Sequence, residues 1–298
     1  MLFTPLETMN LFKPILYEMA ARNLDLIGPI HFQRYIEQHS LSHAKTCQYI
    51  SVDSIESLSP ELRDAGIMVF RLGSRPGSQG THFGLSKYTN GWDDFFVHDK
   101  KLILQARQED FSPTVPLRNL LAFQLLPKIT ETSFVNLAVG SGLLQYALGI
   151  KESNYQVVPA TGQSTVTFKI KPKPVSSPPW EHINGQVEID ALFIGRRNGK
   201  DCLFVVEAKS GPPTGNLAKH KLCYPLAALR SKVSSDIEII PIYLKIWSEE
   251  DGFHFLVAEC TASKSSVIII SELATRSVHH LVLRGFGDQQ AIQICLDS

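Results

Sequence analysis

The chain has 298 residues, 44% of them hydrophobic and 19% charged, with 19 Gly and 17 Pro; this excludes a long disordered chain and a collagen-like one. Lys and Arg number 29 against 29 Asp and Glu, so the molecule is no polycation and a nucleic-acid surface would have to be a local basic patch. No apolar run approaches the ~18–20 residues of a membrane span, and Met1-Leu2-Phe3-Thr4-Pro5-Leu6-Glu7 lacks the basic-then-apolar order of a secretory signal.

The expectation is a cytoplasmic protein with no membrane partner. Cys47, Cys202, Cys223, Cys260 and Cys295 are far apart and form no C-x-x-C pair. They read as buried free thiols in a reducing compartment.

Met9, Phe12, Leu16 and Met19 recur at helical spacing and predict a first helix, with a second over His31–His39. Ser59-Pro60-Glu61-Leu62 reads as an N-cap with proline at the first helical position, and Gly66 closes that helix. Ile67–Leu72 is rich in strand formers, Ser74–Gly80 is a turn-rich loop, and Thr81–Leu85 is the returning strand. Helices followed by a two-stranded ribbon resemble a winged helix, which implies DNA contacts from a wing carrying Arg71 and Arg75. A helical lobe with an exposed hairpin is the alternative. Residues 1–112 form this expected N-terminal domain.

Leu117–Leu126 and Ser133–Leu148 predict two further helices. Gly140-Ser141-Gly142 within the second has no preceding strand and no following G-K-[ST], so it marks a kink or tight packing and not a phosphate loop. Thr165–Lys171 alternates with period two, as a strand does, and Val175–Pro179 is a linker. Gln186–Gly195 and Cys202–Lys209 are strand candidates flanking Arg196-Arg197-Asn198-Gly199-Lys200-Asp201. Asn-Gly between two such runs signals a hairpin, because a type I′ turn needs positive φ at both central residues. With Asn198 and Gly199 as the loop, Asp190 faces Glu207, Glu188 faces Lys209, and all four side chains share one side of the sheet. Directly opposed Cβ atoms lie about 4.5–5.5 Å apart.

Two opposed carboxylates with apolar flanks repel one another. A shared proton, a lysine or a divalent cation relieves that repulsion, and Lys209 lies two residues from Glu207 on the same face. Carboxylate, carboxylate and lysine suit metal-assisted phosphodiester hydrolysis. The ion polarises a phosphoryl oxygen and acidifies water, and the lysine orients or deprotonates that water or stabilises developing charge.

Asp190, a second strand, and then Glu207-Ala208-Lys209 resemble the D…(D/E)-x-K signature of the PD-(D/E)XK nuclease superfamily; Ile189 stands where the signature has its proline. The resemblance implies an α/β, restriction-endonuclease-like core of helix, three antiparallel strands, helix and strand. It covers roughly residues 115–250 within an expected domain 113–250, with residues 251–298 as a β-rich C-terminal extension. It further implies Asp190, Glu207 and the Ala208 carbonyl as ligands of Mg2+ (Mn2+ as the alternative), Lys209 as catalytic lysine, and a DNA endonuclease of restriction or repair type. A homodimer, and a partner methyltransferase for a restriction role, follow from the same likeness. The runner-up is a DNA-binding protein with a non-catalytic nuclease-like scaffold, and a salt-bridged interaction surface is the third reading.

Ala218, Leu222, Leu226, Leu229 and Val233 form an apolar helical stripe, with Pro225 expected to kink or restart the helix. His220 and Tyr224 are four apart on one face, at the place where RecB-type nucleases carry Q-x-x-x-Y. With Glu188 they are the auxiliary candidates. Arg196, Arg197, Lys200, Lys219 and Lys221 supply the expected phosphate-binding patch, or else an ordinary solvated basic face. Ile237–Trp247 reads as a strand after the helix, and Phe253–Glu259, Val267–Ile270 and His280–Arg284 as further strands.

Overall fold

The computed structural model describes residues 11–41, 46–75, 77, 80–126, 128–150, 157–175, 177–263 and 265–285. The N-terminal region runs through α1 (Lys13–Ala21), β1 (Leu26–His31), α2 (Phe32–Gln38), α3 (Thr46–Ile50), α4 (Pro60–Asp64), β2 (Ile67–Arg71) and β3 (His82–Lys87). Phe12, Ile15 and Met19 form the buried stripe of α1, while Met9 of the expected stripe lies outside the described residues. His31 caps α2, its Nδ1 accepting from Arg34 N at 3.2 Å. The small sheet has the order β1-β3-β2. Strand β1 was not expected, because Gly28-Pro29 interrupts its apolar run and such residues argue against a strand.

The chain continues through β4 (Phe96–His98), α5 (Asp99–Ile103), β5 (Gln108–Asp110), α6 (Leu121–Gln124), α7 (Glu131–Gly140) and α8 (Leu143–Ala147). Next come β6 (Ala160–Lys171), β7 (Trp180–Arg197), β8 (Lys200–Ser210), β9 (Asn216–Ala218) and α9 (His220–Arg230). Strands β10 (Glu238–Glu249), β11 (Gly252–Thr261), β12 (Ile268–Ile269) and β13 (Ala274–Arg284) complete the described chain. Among the described residues the large sheet has eight strands in the order β12-β6-β7-β8-β10-β11-β13-β5. Strands β6, β7 and β8 run antiparallel, β10 joins β8 in parallel after α9, and β11 and β13 extend the sheet antiparallel. The fold is therefore mixed α/β, with a large mixed sheet and a small N-terminal α/β region.

Two expected helices are altered. Leu117–Leu126 is a 3-10 turn running into the short α6. The Ser133–Leu148 helix begins two residues earlier and breaks into α7 and α8 at Ser141-Gly142. Gly142 has φ +83°, and a side chain there would collide with Thr114, so the kink and the close packing have one cause. Helix α9 runs on through Pro225.

Asn198 and Gly199 have φ of 53° and 75°, the pair of left-handed residues that a type I′ turn requires. The β7–β8 register runs from Arg197 opposite Lys200 to Ala191 opposite Val206. On one face of the sheet Ala191, Phe193, Phe204, Val206 and Ala208 pack with α7 and α8. On the other, Tyr243 and the α9 residues Leu222 and Leu226 share a single core with Phe70, Phe83 and Phe96 of the N-terminal region. Cys202, Cys223 and Cys260 are free and buried. No helix among the described residues is long and apolar enough to cross a membrane.

The N-terminal ribbon is stitched to the large sheet at Gly73, which bridges Ile183. Ser74 N donates to Ile183 O at 2.6 Å, and Ile183 N to Leu72 O at 3.0 Å. Gly73 has φ +71°, and a Cβ there would strike Ile183 O and lie 2.8 Å from Gly185 N. Gly73→Ala is expected to cost about 2–5 kcal/mol, combining left-handed strain of roughly 1–2 kcal/mol with overpacking of about 1–3 kcal/mol. Urea denaturation measures it, and an unchanged midpoint would contradict this account of the junction.

Candidate active site

The site is built where the β7–β8 ladder ends. Along its other edge, β7 pairs Leu192 with Ala160 and Ile189 with Gly162. Strand β7 thus advances three residues while β6 advances two, which is a bulge spanning Asp190 and Ala191. A bulge ends pairing and re-aims a side chain. Here Asp190 takes over the vacated ladder position, its Oδ2 accepting from Ala208 N at 2.8 Å.

Glu207 follows the last β8 residue paired with β7 and is 4% exposed. Its Oε1 lies 3.2 Å from Lys209 Nζ and 3.6 Å from Lys221 Nζ of α9. Lys209 Nζ also lies 3.6 Å from Glu131 Oε2. Glu131 Oε1 accepts from Ser210 N at 2.9 Å, and Lys221 Nζ reaches Asp53 Oδ1 at 3.5 Å. The result is an alternating chain, Asp53–Lys221–Glu207–Lys209–Glu131, with Asp190 within electrostatic range of its centre. Behind it, the parallel register sets Tyr243 beside Glu207 and Lys245 beside Lys209. Tyr243 donates to Asp99 Oδ1 at 2.8 Å, and Lys245 Nζ lies 3.3 Å from Asp99 Oδ2.

Burial pushes the Glu207 carboxyl up to about 7 against the pull of Lys221 and Lys209, and the charge of Asp190 pushes the same way. Burial also raises Asp190, outweighing the Ala208 N–H and Lys209. Burial pulls Lys209 down, but Glu207 and Glu131 outweigh it and hold its pKa above the ordinary value. Lys209 is therefore an ammonium at neutral pH.

Asp190, Glu207 and Lys209 are brought together. Glu188 is not opposite Lys209: it pairs with Gln163 on β6 and accepts from Gln186 Nε2 at 3.0 Å. The bulge and the end of the ladder break the register that would have carried it there. His220 is buried, and burial together with the charge of Lys221 holds its pKa down to about 3. Tyr224 is buried and donates to Arg71 O at 3.0 Å. Arg71 therefore lies in a cleft beside the site, lined also by Asp53, His182, Glu188, His220 and Lys221, while Arg75 is exposed on the loop after β2.

The expected basic patch does not form one surface. Lys200 is exposed in the turn and Arg196 is half-buried. Arg197 is locked to Glu259, with Nη1 2.6 Å from Oε2 and Nη2 3.2 Å from Oε1. Lys219 is buried and donates to Ser271 O at 3.3 Å. Lys221 belongs to the alternating chain, between Asp53 and Glu207.

The sequence reading missed Glu131. Its available signal was Thr130, which caps α7 by accepting from Ser133 N at 3.2 Å; placing the cap there starts the helix at Glu131 and points a carboxylate at the sheet.

The donor set is all oxygen, which suits a hard ion such as Mg2+, usually held by one or two carboxylates and several waters. Glu131, Asp190 and Glu207 do not converge as a trio with ligand atoms within 4.8 Å, so together they form no three-carboxylate cage, and an ion here would have to keep several waters.

A family model described as a domain of unknown function, DUF6997, matches residues 103–269. That is more than half of the chain, which belongs to this family. No curated protein and no solved structure matches.

Proposed function

We propose that this DUF6997 protein is a metal-dependent nuclease that hydrolyses phosphodiester bonds in DNA, an endonuclease of restriction or repair type. The observation that carries the reading is the convergence of Asp190, Glu207 and Lys209 at the end of the β7–β8 ladder. The order α7, β6, β7, β8, α9, β10, with three antiparallel strands and a parallel fourth, supports a restriction-endonuclease-like core. The helix–strand–helices–strand–strand order of the N-terminal region, with its sheet order β1-β3-β2, supports a winged-helix-like module beside it.

Asp190 and Glu207, with the Ala208 carbonyl, would hold Mg2+ or Mn2+. When bound, the ion supplies Lewis acidity and a more acidic water. Lys209, held as an ammonium by Glu207 and Glu131, stabilises negative charge developing on the phosphate and does not act as the base. Glu131 positions Lys209. A homodimer, and a partner methyltransferase for a restriction role, belong to the same proposal.

A second reading, a DNA-binding scaffold without turnover, is favoured by one feature. Two ammonium groups already meet Glu207 Oε1, so its charge is compensated without an ion. Plasmid incubated with the protein and Mg2+, beside an EDTA control, separates the two. Metal-dependent cutting supports the nuclease; gel shifts without cutting support the scaffold.

The raised Glu207 pKa gives a pH prediction. Its carboxylate must be ionised to hold a cation, so cleavage is expected to rise with pH through about 7. Stability moves the other way. A carboxyl raised in the folded state contributes stability that is full below its unfolded value of about 4.5 and lost as pH climbs through about 7. The metal-free melting temperature should therefore fall between pH 5 and 8, and Glu207→Gln should flatten the fall. A rate that is flat from pH 6 to 8 would overturn this assignment of Glu207.

A further inference from the structure

The hairpin joining β10 to β11 gathers a second set of ligating side chains, unconnected with the residues above. Glu249, Asp251 and His254 each offer one ligand atom, and all three atoms lie within 4.8 Å of one another. His254 Nε2 is 2.7 Å from Asp251 Oδ1 and 3.7 Å from Glu249 Oε2.

Each of the three is held from behind. Trp247 Nε1 donates to Glu249 Oε1 at 2.6 Å, and Arg284 Nη1 donates to Asp251 Oδ2 at 3.2 Å. His254 is 2% exposed, stacks on Trp247 with ring centroids 5.1 Å apart, and joins its Nδ1 to His280 Nε2 at 3.0 Å. The remaining oxygen of each carboxylate is turned toward one ring nitrogen. That nitrogen carries at most one hydrogen, and Glu249 Oε2 stands beyond hydrogen-bond length. When His254 donates Nδ1–H to His280, its Nε2 lone pair faces both carboxylates, and three electron-pair donors converge with no proton among them. Fixing a ligating histidine through its other nitrogen is the usual support of a metal site.

We propose that this hairpin binds a divalent first-row transition-metal ion of the Zn2+ class through Glu249 Oε2, Asp251 Oδ1 and His254 Nε2. With bonds of about 2.0–2.1 Å, ligand atoms around tetrahedral zinc sit roughly 3.3 Å apart, between the two separations measured here. One imidazole with two carboxylates suits a borderline ion better than Mg2+, which prefers oxygen alone. The Glu249 and Asp251 side chains are 55% and 32% exposed, so the ion has a route in, and three protein ligands leave a coordination position for water or a ligand.

The test uses the full chain carrying Asp190→Asn, which silences the other candidate metal site. Co2+ is titrated by visible absorption, and Zn2+ by calorimetry. One equivalent is expected to bind, and millimolar Mg2+ is expected not to displace it. Glu249→Gln, at an exposed position, and Asp251→Asn, at a half-buried one, should each weaken binding at least about tenfold. Trp247→Phe, which removes the N–H behind Glu249 and shrinks the ring stacked on His254, should weaken it at least about tenfold. Absence of a saturable site, displacement by Mg2+, or affinity unchanged in the Glu249→Gln, Asp251→Asn double variant would overturn the proposal. Failure of DNA cleavage leaves it untouched.

Discussion

Lys209→Ala is expected to lower metal-dependent DNA cleavage by about 10²–10³-fold, the usual effect of removing one preorganised charge from a reacting centre, and Asp190→Asn by at least as much. The two substitutions fail for different reasons. Asn at position 190 keeps an oxygen to accept from Ala208 N, so the end of the ladder survives; what disappears is the negative charge that would hold a cation. Alanine at 209 leaves Glu207 with Lys221 at 3.6 Å, so that carboxylate keeps a counter-charge and the fold persists. DNA affinity should change little in either variant. Plasmid cleavage and gel shift measured side by side decide the matter: cutting at wild-type rates in either variant removes the basis for the proposed chemistry.

The second large effect concerns stability. Arg197 and Glu259 form a two-pronged pair with side chains 15% and 6% exposed. Arg276 Nη1 also donates to Glu259 Oε1 at 3.1 Å. Removing one member strands the other charge where water is scarce, at a cost of about 3–5 kcal/mol. Arg197→Met should fall near the lower end, about 3 kcal/mol, because Arg276 keeps part of the compensation. Arg197→Met combined with Glu259→Leu should recover much of the loss, since an apolar replacement of both partners leaves no orphan. Urea melts of the single and double variants measure the coupling. A loss of DNA affinity in Arg197→Met at constant stability would instead restore Arg197 as a phosphate contact.

Local chemistry made part of this molecule readable. Asn198-Gly199 dictated the turn, and the turn dictated the register as far as Ala191 opposite Val206. Extending that register by one more pair brought Asp190 to Glu207, and by three it misplaced Glu188, because a bulge carries no residue type of its own and depends on the neighbouring strand. Glu131 was hidden by a helix start set two residues late. Lys219 and Lys221 show the limit of charge counting. Both are basic and adjacent to the site in sequence, yet one is buried against a backbone carbonyl and the other sits between two acids. Arg197 and Glu259 meet from strands far apart in sequence, and nothing local foretold their pairing.

The ion pair between Asp53 and Lys221 has a mechanical consequence. Asp53 lies in the N-terminal region, and Lys221 holds Glu207. The two regions also share one apolar core. A displacement of the N-terminal lobe would therefore be felt at the buried acid of the sheet both through this relay of one carboxylate and one ammonium and through the shared core.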